Sequence, residues 1–378
     1  MKILLSAGEP SGDAHCARLV KLLRARHPDW TIYGLGGPEM RAAGAKLLAD
    51  TMGMGVLGFT SSMKVVPRGL RLRRETLRFV ERHEIDLVVP CDWGAFNGRT
   101  LPGLKERGVP VLYYFPPRSW QQRGEGGLGV VPFCQAIATP FAWSAQRLKD
   151  AGAHAEWVGH PLLEEVEEAP ARATLRAEFG IDEGERVIAL LPGSRAMELK
   201  LLVPVVAQTA QLLYRRGLAD RFLVALPQSA KLPEDAVFPS GTQIIKGRAT
   251  DVLKACDAAV VKSGTSTLQA AACDTPQVII YDLPPLLRAQ WVGTGMARKI
   301  RFIGMPNILA DREICRELLG PNCRPSLIVG EIAALLEDPA KSGTMRAAYQ
   351  EVRRALGSEL PQGASEATVA LIEELVGA

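Results

Sequence analysis

Two short segments of this chain combine residue types that suit phosphate binding. Leu190-Leu191-Pro192-Gly193-Ser194-Arg195-Ala196-Met197-Glu198 and Lys262-Ser263-Gly264-Thr265-Ser266-Thr267-Leu268-Gln269 each run from an apolar stretch into small residues that open a helix. A helix start leaves backbone N–H groups without intrahelical partners at the positive end of its dipole, so two of them in one half of a protein suit a diphosphate. Arg195, expected to be buried there, adds a planar fork of donors to Ser194, Ser263, Gly264 and Thr265. Either turn alone reads equally well as a tight strand–helix connection with no ligand.

A second set of candidates lies in the first half. Gly8-Glu9-Pro10-Ser11-Gly12-Asp13 joins an apolar strand to a helix, where a doubly wound sheet binds ligands. Its two carboxylates disfavour phosphate, so Glu9, Ser11, Gly12 and Asp13 are expected to meet sugar hydroxyls, with helix capping by Ser11 or Asp13 as the alternative. Asp92 follows the strand Leu87–Pro90 beside Trp93 and Phe96, an apolar setting that can raise a carboxyl pKa and suit it to general-base work on a hydroxyl. Capping of the next helix is its structural alternative. His160, in the turn Val158-Gly159-His160-Pro161, is the one histidine placed to reach a site, and the other four read as structural.

Met52–His83 differs in kind. Its apolar start contains Met54, Val56, Leu57 and Phe59, and its remainder carries Lys64, Arg68, Arg71, Arg73, Arg74, Arg78 and Arg82 against Glu75 and Glu81. That pairing suits acyl chains and anionic headgroups, or else the outer face of an ordinary helix.

These residues need a scaffold, and the pattern supplies one. Short apolar runs alternate with helical stretches: strands at Lys2–Ala7, Thr31–Leu35, Leu87–Pro90 and Val109–Phe115, helices at Gly12–Arg26 and Arg99–Arg107. After a charged, proline-bounded junction at Leu163–Ala173 the pattern restarts with Val187–Leu191, Leu199–Arg216, Phe222–Leu226, Gln243–Ile245, Thr250–Cys256, Ala258–Val261, Thr265–Cys273 and Gln277–Tyr281. The pattern predicts two successive α/β, doubly wound, Rossmann-like domains facing a cleft, over 1–165 and 174–345. Residues 346–378 are expected to form helices that pack on the first domain or on a partner subunit.

At 378 residues the chain suits two cores, and its 47% hydrophobic and 23% charged content describes a globular protein without disordered tracts. A net charge of +4 argues against a nucleic-acid partner. Seven scattered cysteines without C-x-x-C spacing read as reduced thiols of a cytoplasmic protein, and no zinc site is expected. Gly34-Leu35-Gly36-Gly37-Pro38 is only a fragment of a dinucleotide fingerprint, so no nicotinamide cofactor is expected. Neither P-loop, G-x-S-x-G, H-E-x-x-H nor D-x-D occurs, so no metal is expected either. The chain opens on a strand, which leaves no room for a signal peptide, and no apolar run is expected to reach the ~18–20 residues of a membrane-spanning helix.

In this order the segments resemble the lipid-A-disaccharide synthase family, inverting glycosyltransferases of the two-Rossmann-domain (GT-B) type. The resemblance runs nearly end to end, through Gly8–Asp13, Gly36-Gly37-Pro38-Glu39-Met40, Met54-Gly55, Asp92, Val158–Pro161, Leu191–Arg195, Ser263-Gly264-Thr265 and Pro306-Asn307-Ile308-Leu309-Ala310-Asp311-Arg312-Glu313. It implies transfer of an acylated glucosamine from a UDP-activated diacylglucosamine to an acylated glucosamine 1-phosphate, with UDP released and neither metal nor cofactor. It further implies Asp92 as the base, Arg195 on the diphosphate side and Asn307 in the nucleotide half. A homodimer and peripheral attachment to the inner face of the cytoplasmic membrane are also implied.

Four departures accompany the resemblance. Gln269 stands where the family has a Glu suited to ribose hydroxyls, and Ala95 replaces a second Asp three positions after Asp92. Pro116-Pro117-Arg118-Ser119-Trp120-Gln121-Gln122-Arg123 replaces a Ser-Pro-Ser-x-Trp-Ala-Trp-Arg segment, and Gly58-Phe59-Thr60 an acidic step. Three of the four fall in the acceptor half, which implies a retained nucleotide-sugar scaffold with an altered acceptor pocket. An epimerase or a transferase with a different acceptor, and a binding protein without catalysis, are the competing readings.

Overall fold

The computed structural model describes residues 1–52, 54, 62–122, 124–228, 230–284 and 301–377. Contacts divide the chain into two units, Met1–Pro161 with Ala355–Ala378, and Leu162–Arg354. The first carries β1 (Lys2–Ser6), α1 (Pro10–Arg26), β2 (Thr31–Gly36), α2 (Pro38–Ala42), β3 (Lys46–Asp50), α3 (Ser62–His83), β4 (Leu87–Pro90), α4 (Gly94–Lys105), β5 (Leu112–Tyr114), β6 (Ala136–Thr139), α5 (Ala142–Asp150) and β7 (Ala155–Trp157). Strands β3-β2-β1-β4 and β5-β6-β7 form parallel ladders, joined by the bridges Val88↔Val111 and Cys91↔Tyr114. Chain order therefore reverses beside β1 and β4, the switch point at which parallel α/β sheets open a crevice. Ile3–Ser6 and Leu87–Pro90 are buried because helices cover both faces of such a sheet.

The second unit carries α6 (Leu162–Glu168), α7 (Arg172–Glu178), β8 (Val187–Leu191), α8 (Ala196–Arg215), β9 (Arg221–Leu226), β10 (Gln243–Lys246), α9 (Ala249–Ala255), β11 (Ala258–Lys262), α10 (Thr265–Ala272), β12 (Gln277–Tyr281), α11 (Met305–Ala310), β13 (Glu317–Leu319), α12 (Pro325–Glu337) and α13 (Pro339–Ala355). Its parallel sheet runs β10-β9-β8-β11-β12-β13 and reverses between β8 and β11. The two phosphate-type turns thus leave neighbouring strands at their carboxyl ends, although about 70 residues of chain lie between them.

Three expectations differ from the structure. The segment Leu163–Ala173, expected to hold the domain junction, carries α6 and the start of α7, and because Leu162, Leu163, Val166 and Leu175 are buried the second unit begins at Leu162. Helix α13 belongs to that unit too, so the return to the first unit comes at Ala355 rather than 346. Beyond it, α14 (Ala364–Val376) buries Val369 and Ile372 completely against α1, at about 1.5–3 kcal/mol per side chain. Glu373 pairs there with Arg26 at 3.1 Å and His27 at 2.8 Å. Finally, α8 is long and apolar enough to cross a bilayer, contrary to the expectation that no segment would be. The run was hidden by Glu198, Lys200 and Pro204, and Leu199, Leu202, Val203, Val206, Ala210 and Leu213 of α8 are core residues of the second unit, where the helix packs on α12.

Candidate active site

At the first switch point the backbone after β4 is bent through two consecutive left-handed residues, Asp92 at φ 47° and Trp93 at φ 43°. Non-glycine residues adopt that conformation only when their surroundings impose it. Buried Asn97 does so from the first turn of α4: its Nδ2 donates to the Asp92 carbonyl (3.0 Å), while its Oδ1 accepts from Ser6 Oγ on β1 (2.7 Å). The Tyr113 hydroxyl donates to the same carbonyl (2.8 Å), and the Asp92 N–H donates to Tyr114 (3.1 Å). Trp93 stacks on Phe96 at 4.2 Å and lies so close over Gly8 that a Cβ there would fall 2.2 Å from the indole. Glycine at position 8 is thus required by the indole.

The Asp92 side chain is held by its main chain and remains reachable from solvent. Enough protein surrounds it that desolvation, aided by the charge of Glu9 and opposed by the Trp93 N–H, lifts its pKa to about 6. A carboxylate so placed is ionised at neutral pH yet far more basic than an ordinary Asp.

Around it the candidates separate. Glu9 is the N-cap residue of α1, Ser11 is half-buried, and Gly12 approaches Ala7 so closely that a Cβ would lie 3.2 Å from it. Asp13 is fully committed elsewhere: buried, it accepts from the N–H groups of Gly37 (2.7 Å), Glu39 (3.0 Å) and Met40 (3.3 Å), capping α2. Its expected contact with sugar hydroxyls gives way to this architectural role, because a cap 24 residues away in sequence cannot be seen in a local pattern. His160 follows Gly159, whose φ of 80° and approach to the Leu356 carbonyl admit only glycine, and its ring lies 5.5 Å from His15 and 5.5 Å from Phe115. Burial holds His160 at about 4, and burial together with His160 and Arg18 holds His15 at about 3, so both imidazoles are neutral. His15, read as structural from sequence, belongs with this group.

The basic segment is mixed. Val56, Leu57 and Phe59 lie outside the described residues. Met54 packs into a core with Leu35, Leu72, Trp93 and Phe96 rather than facing outward, which corrects its expected lipid contact. On α3, Arg71 and Arg74 are exposed, Arg73 is half-buried, and Arg71 pairs with Glu75 at 2.8 Å.

At the second switch point the expected free amides of the first turn are occupied. Glu198 folds back so that its Oε2 accepts from the N–H groups of Ser194 (3.0 Å) and Arg195 (3.2 Å), while its Oε1 meets Lys262 Nζ at 2.7 Å. Burial alone pushes the Glu198 carboxyl up, but Lys262 and the two amides outweigh it and hold the pKa below the usual value. Because Glu198 fills the inward position, Arg195 turns outward with 48% of its side chain exposed, which corrects the expectation of a buried Arg. A Glu three residues into a helix is the signature of a capping box, and that signal was legible.

The second turn is different. Gly264, at φ 146°, precedes α10, and among the described residues no acceptor meets the N–H groups of Thr265 and Ser266. Ser263 Oγ donates to the Ile303 carbonyl (2.7 Å), and Gln269 Nε2 donates to Glu165 on α6 (3.4 Å). Asn307 is wholly buried: its oxygen accepts from Ile314 (2.7 Å) and Cys315 (2.9 Å), and its Nδ2 donates to the Cys315 carbonyl (2.7 Å) and Glu317 (2.8 Å). With its amide used on both sides it shapes the loop before β13, which corrects its expected place as a ligand contact.

A solvent-reachable carboxylate thus follows β4 in the first unit, and a helix N-terminus with open amides follows β11 in the second. The chain resembles a solved UDP-GlcNAc 2-epimerase from Neisseria meningitidis (TM-score 0.62, 13% identity, all of both chains) and the glycosyltransferase SnogD from Streptomyces nogalater (TM-score 0.56, 17% identity, 100% and 99% of the chains). That likeness identifies the fold as GT-B. In sequence it is 32% identical over 382 residues to lipid-A-disaccharide synthase of Geobacter metallireducens, spanning 100% of this chain and 97% of the relative. The model of the lipid-A-disaccharide synthetase family matches residues 3–371, and the chain therefore belongs to that family.

Proposed function

We propose that this chain is a hexosyltransferase that moves an acylated glucosamine from UDP-2,3-diacylglucosamine to the hydroxyl of an acylated glucosamine 1-phosphate. The observation that carries the reading is Asp92: clamped through its carbonyl, solvent-reachable, and with a pKa of about 6. As the acceptor oxygen attacks the anomeric carbon, Asp92 takes its proton and the carbon–oxygen bond to the diphosphate breaks, inverting the centre and releasing UDP. The leaving charge is assigned to the α10 N-terminus, Gly264 and Thr265, with Ser263, Ser194 and Arg195 as further nucleotide-side contacts. Glu9, Ser11 and Gly12 would line the acceptor side, and His15 and His160 offer hydrogen bonds without charge. Ala95 in place of the family's second Asp supports an acceptor pocket of altered shape.

The test is UDP release. Release is expected only when donor and acylated acceptor are both present, with no change in UDP-N-acetylglucosamine supplied alone. Conversion of that sugar without an acceptor would support epimerisation instead, and UDP-sugar binding without release would support a non-catalytic protein.

Attachment to an anionic membrane surface is supported by α3, along which Arg68, Arg71, Arg74, Arg78 and Arg82 are exposed, as is Leu70. Each cation near such a surface contributes about 1 kcal/mol, so R71Q/R74Q should markedly reduce co-sedimentation with anionic vesicles, and added salt should do the same. Indifference to both would leave α3 an ordinary surface helix.

A further inference from the structure

The contact between Gln269 and Glu165 bears on the residue at which this chain departs from its family. Gln269 lies on α10, one turn past the open amides of Thr265 and Ser266, and Glu165 lies on α6 of the same unit. A primary amide offers two donors on nitrogen and two lone pairs on oxygen, and nothing intrinsic decides which end faces a neighbour. An ionised carboxylate accepts only. Glu165 therefore requires the nitrogen end of Gln269, at 3.4 Å, which leaves the carbonyl oxygen at the opposite end of the amide free of that contact. The Thr250 hydroxyl donates to the same Glu165 oxygen and fixes the carboxylate from α9. Among the described residues no cationic side chain pairs with Glu165, so its charge acts on the donors that meet it.

We infer that Glu165 is a positioning residue that orients the Gln269 amide so that its oxygen is presented as an acceptor to the ribose hydroxyls of a uridine nucleotide. The inference rests on the proposed UDP-sugar donor and adds a residue to its site. It also accounts for the departure itself. A Glu at 269 would set two carboxylates side by side, and one of them would have to take up a proton or move away. Gln at 269 keeps an acceptor for the sugar while donating to Glu165, so the pair works as one unit.

The experiment compares Kd values for UDP and its 2′,3′-dideoxy analogue in wild type, E165Q, Q269E and E165Q/Q269E, with melting temperatures as the check on folding. Wild type is expected to prefer UDP. E165Q keeps the shape but accepts either end of the Gln269 amide, and should weaken UDP by about 5- to 10-fold while leaving the dideoxy analogue unchanged. Q269E should lose preference in the same way, and E165Q/Q269E should regain it, because a neutral neighbour removes the repulsion. If wild type prefers UDP and E165Q keeps that preference in full, the positioning role is overturned and the donor reading stands. If wild type binds neither nucleotide, the donor reading itself fails and this inference fails with it.

Discussion

Two carboxylates stand at the two switch points of this molecule, and their surroundings push them in opposite directions. Asp92, after β4, has solvent and the like charge of Glu9 for neighbours, and desolvation leaves it basic, at about 6. Glu198, after β8, differs in its partners: Lys262 at 2.7 Å and two helix amides neutralise it and hold its pKa down. The same kind of group at the same topological position is thus left ready for proton transfer in one unit and consumed by architecture in the other. Position in a fold offers a site. The partners around the side chain decide whether it does chemistry.

The largest test of that contrast is D92N, which removes the base and keeps the hydrogen-bonding shape. Turnover should fall by about 10²- to 10⁴-fold, with UDP affinity unchanged in an equilibrium titration. E198Q, by contrast, should retain most of the turnover, and an equal loss in both variants would dissolve the distinction. Next comes K262M, which leaves Glu198 half-buried without its cation. Unfolding in urea should show a loss of roughly 1–3 kcal/mol at neutral pH. The sign with pH comes from the lowered Glu198 pKa: its contribution is whole above the ordinary value near 4.5 and fades as pH falls below it, so the K262M deficit should shrink in acid.

The smallest effect runs the other way. Asp92 has a raised folded pKa, so its protonated form stabilises the fold at low pH and that contribution is lost as pH rises through about 6. D92N has no charge to desolvate, and Asn tolerates the left-handed conformation at φ 47°. Calorimetry should find D92N melting slightly above wild type at pH 8, with the difference closing as pH falls from about 6 towards about 4.

Much of the frame was legible because β1, β4, β8 and β11 are short apolar runs bounded by turn residues, a signal that needs no tertiary information. The place of Asp92 just after β4 was legible for the same reason, since it is the first carboxylate after such a run. What escaped were short elements and distant partnerships. β3 (Lys46–Asp50) is an edge strand without a fully buried side chain, and β6 and β7 are only four and three residues long, too short to set up a periodic pattern. Asp13 reads as a ligand contact until α2 is folded against it, and Asn307 until Ile314 and Cys315 close over its oxygen. His15 lacked any local motif and joins the group only because β7 brings His160 beside it. Glu198 is the exception: its capping-box spacing was readable, and reading it would have cast the first turn as occupied.

The pH dependence of kcat/KM for UDP release tests the central claim most directly, since the raised pKa of Asp92 is what separates a base from a cap. The profile should be level above about pH 6 and fall close to tenfold per unit below it, with that inflection absent from the residual rate of D92N. A rate that stays flat from about pH 7 down to about pH 5, or an inflection that survives in D92N, would contradict it.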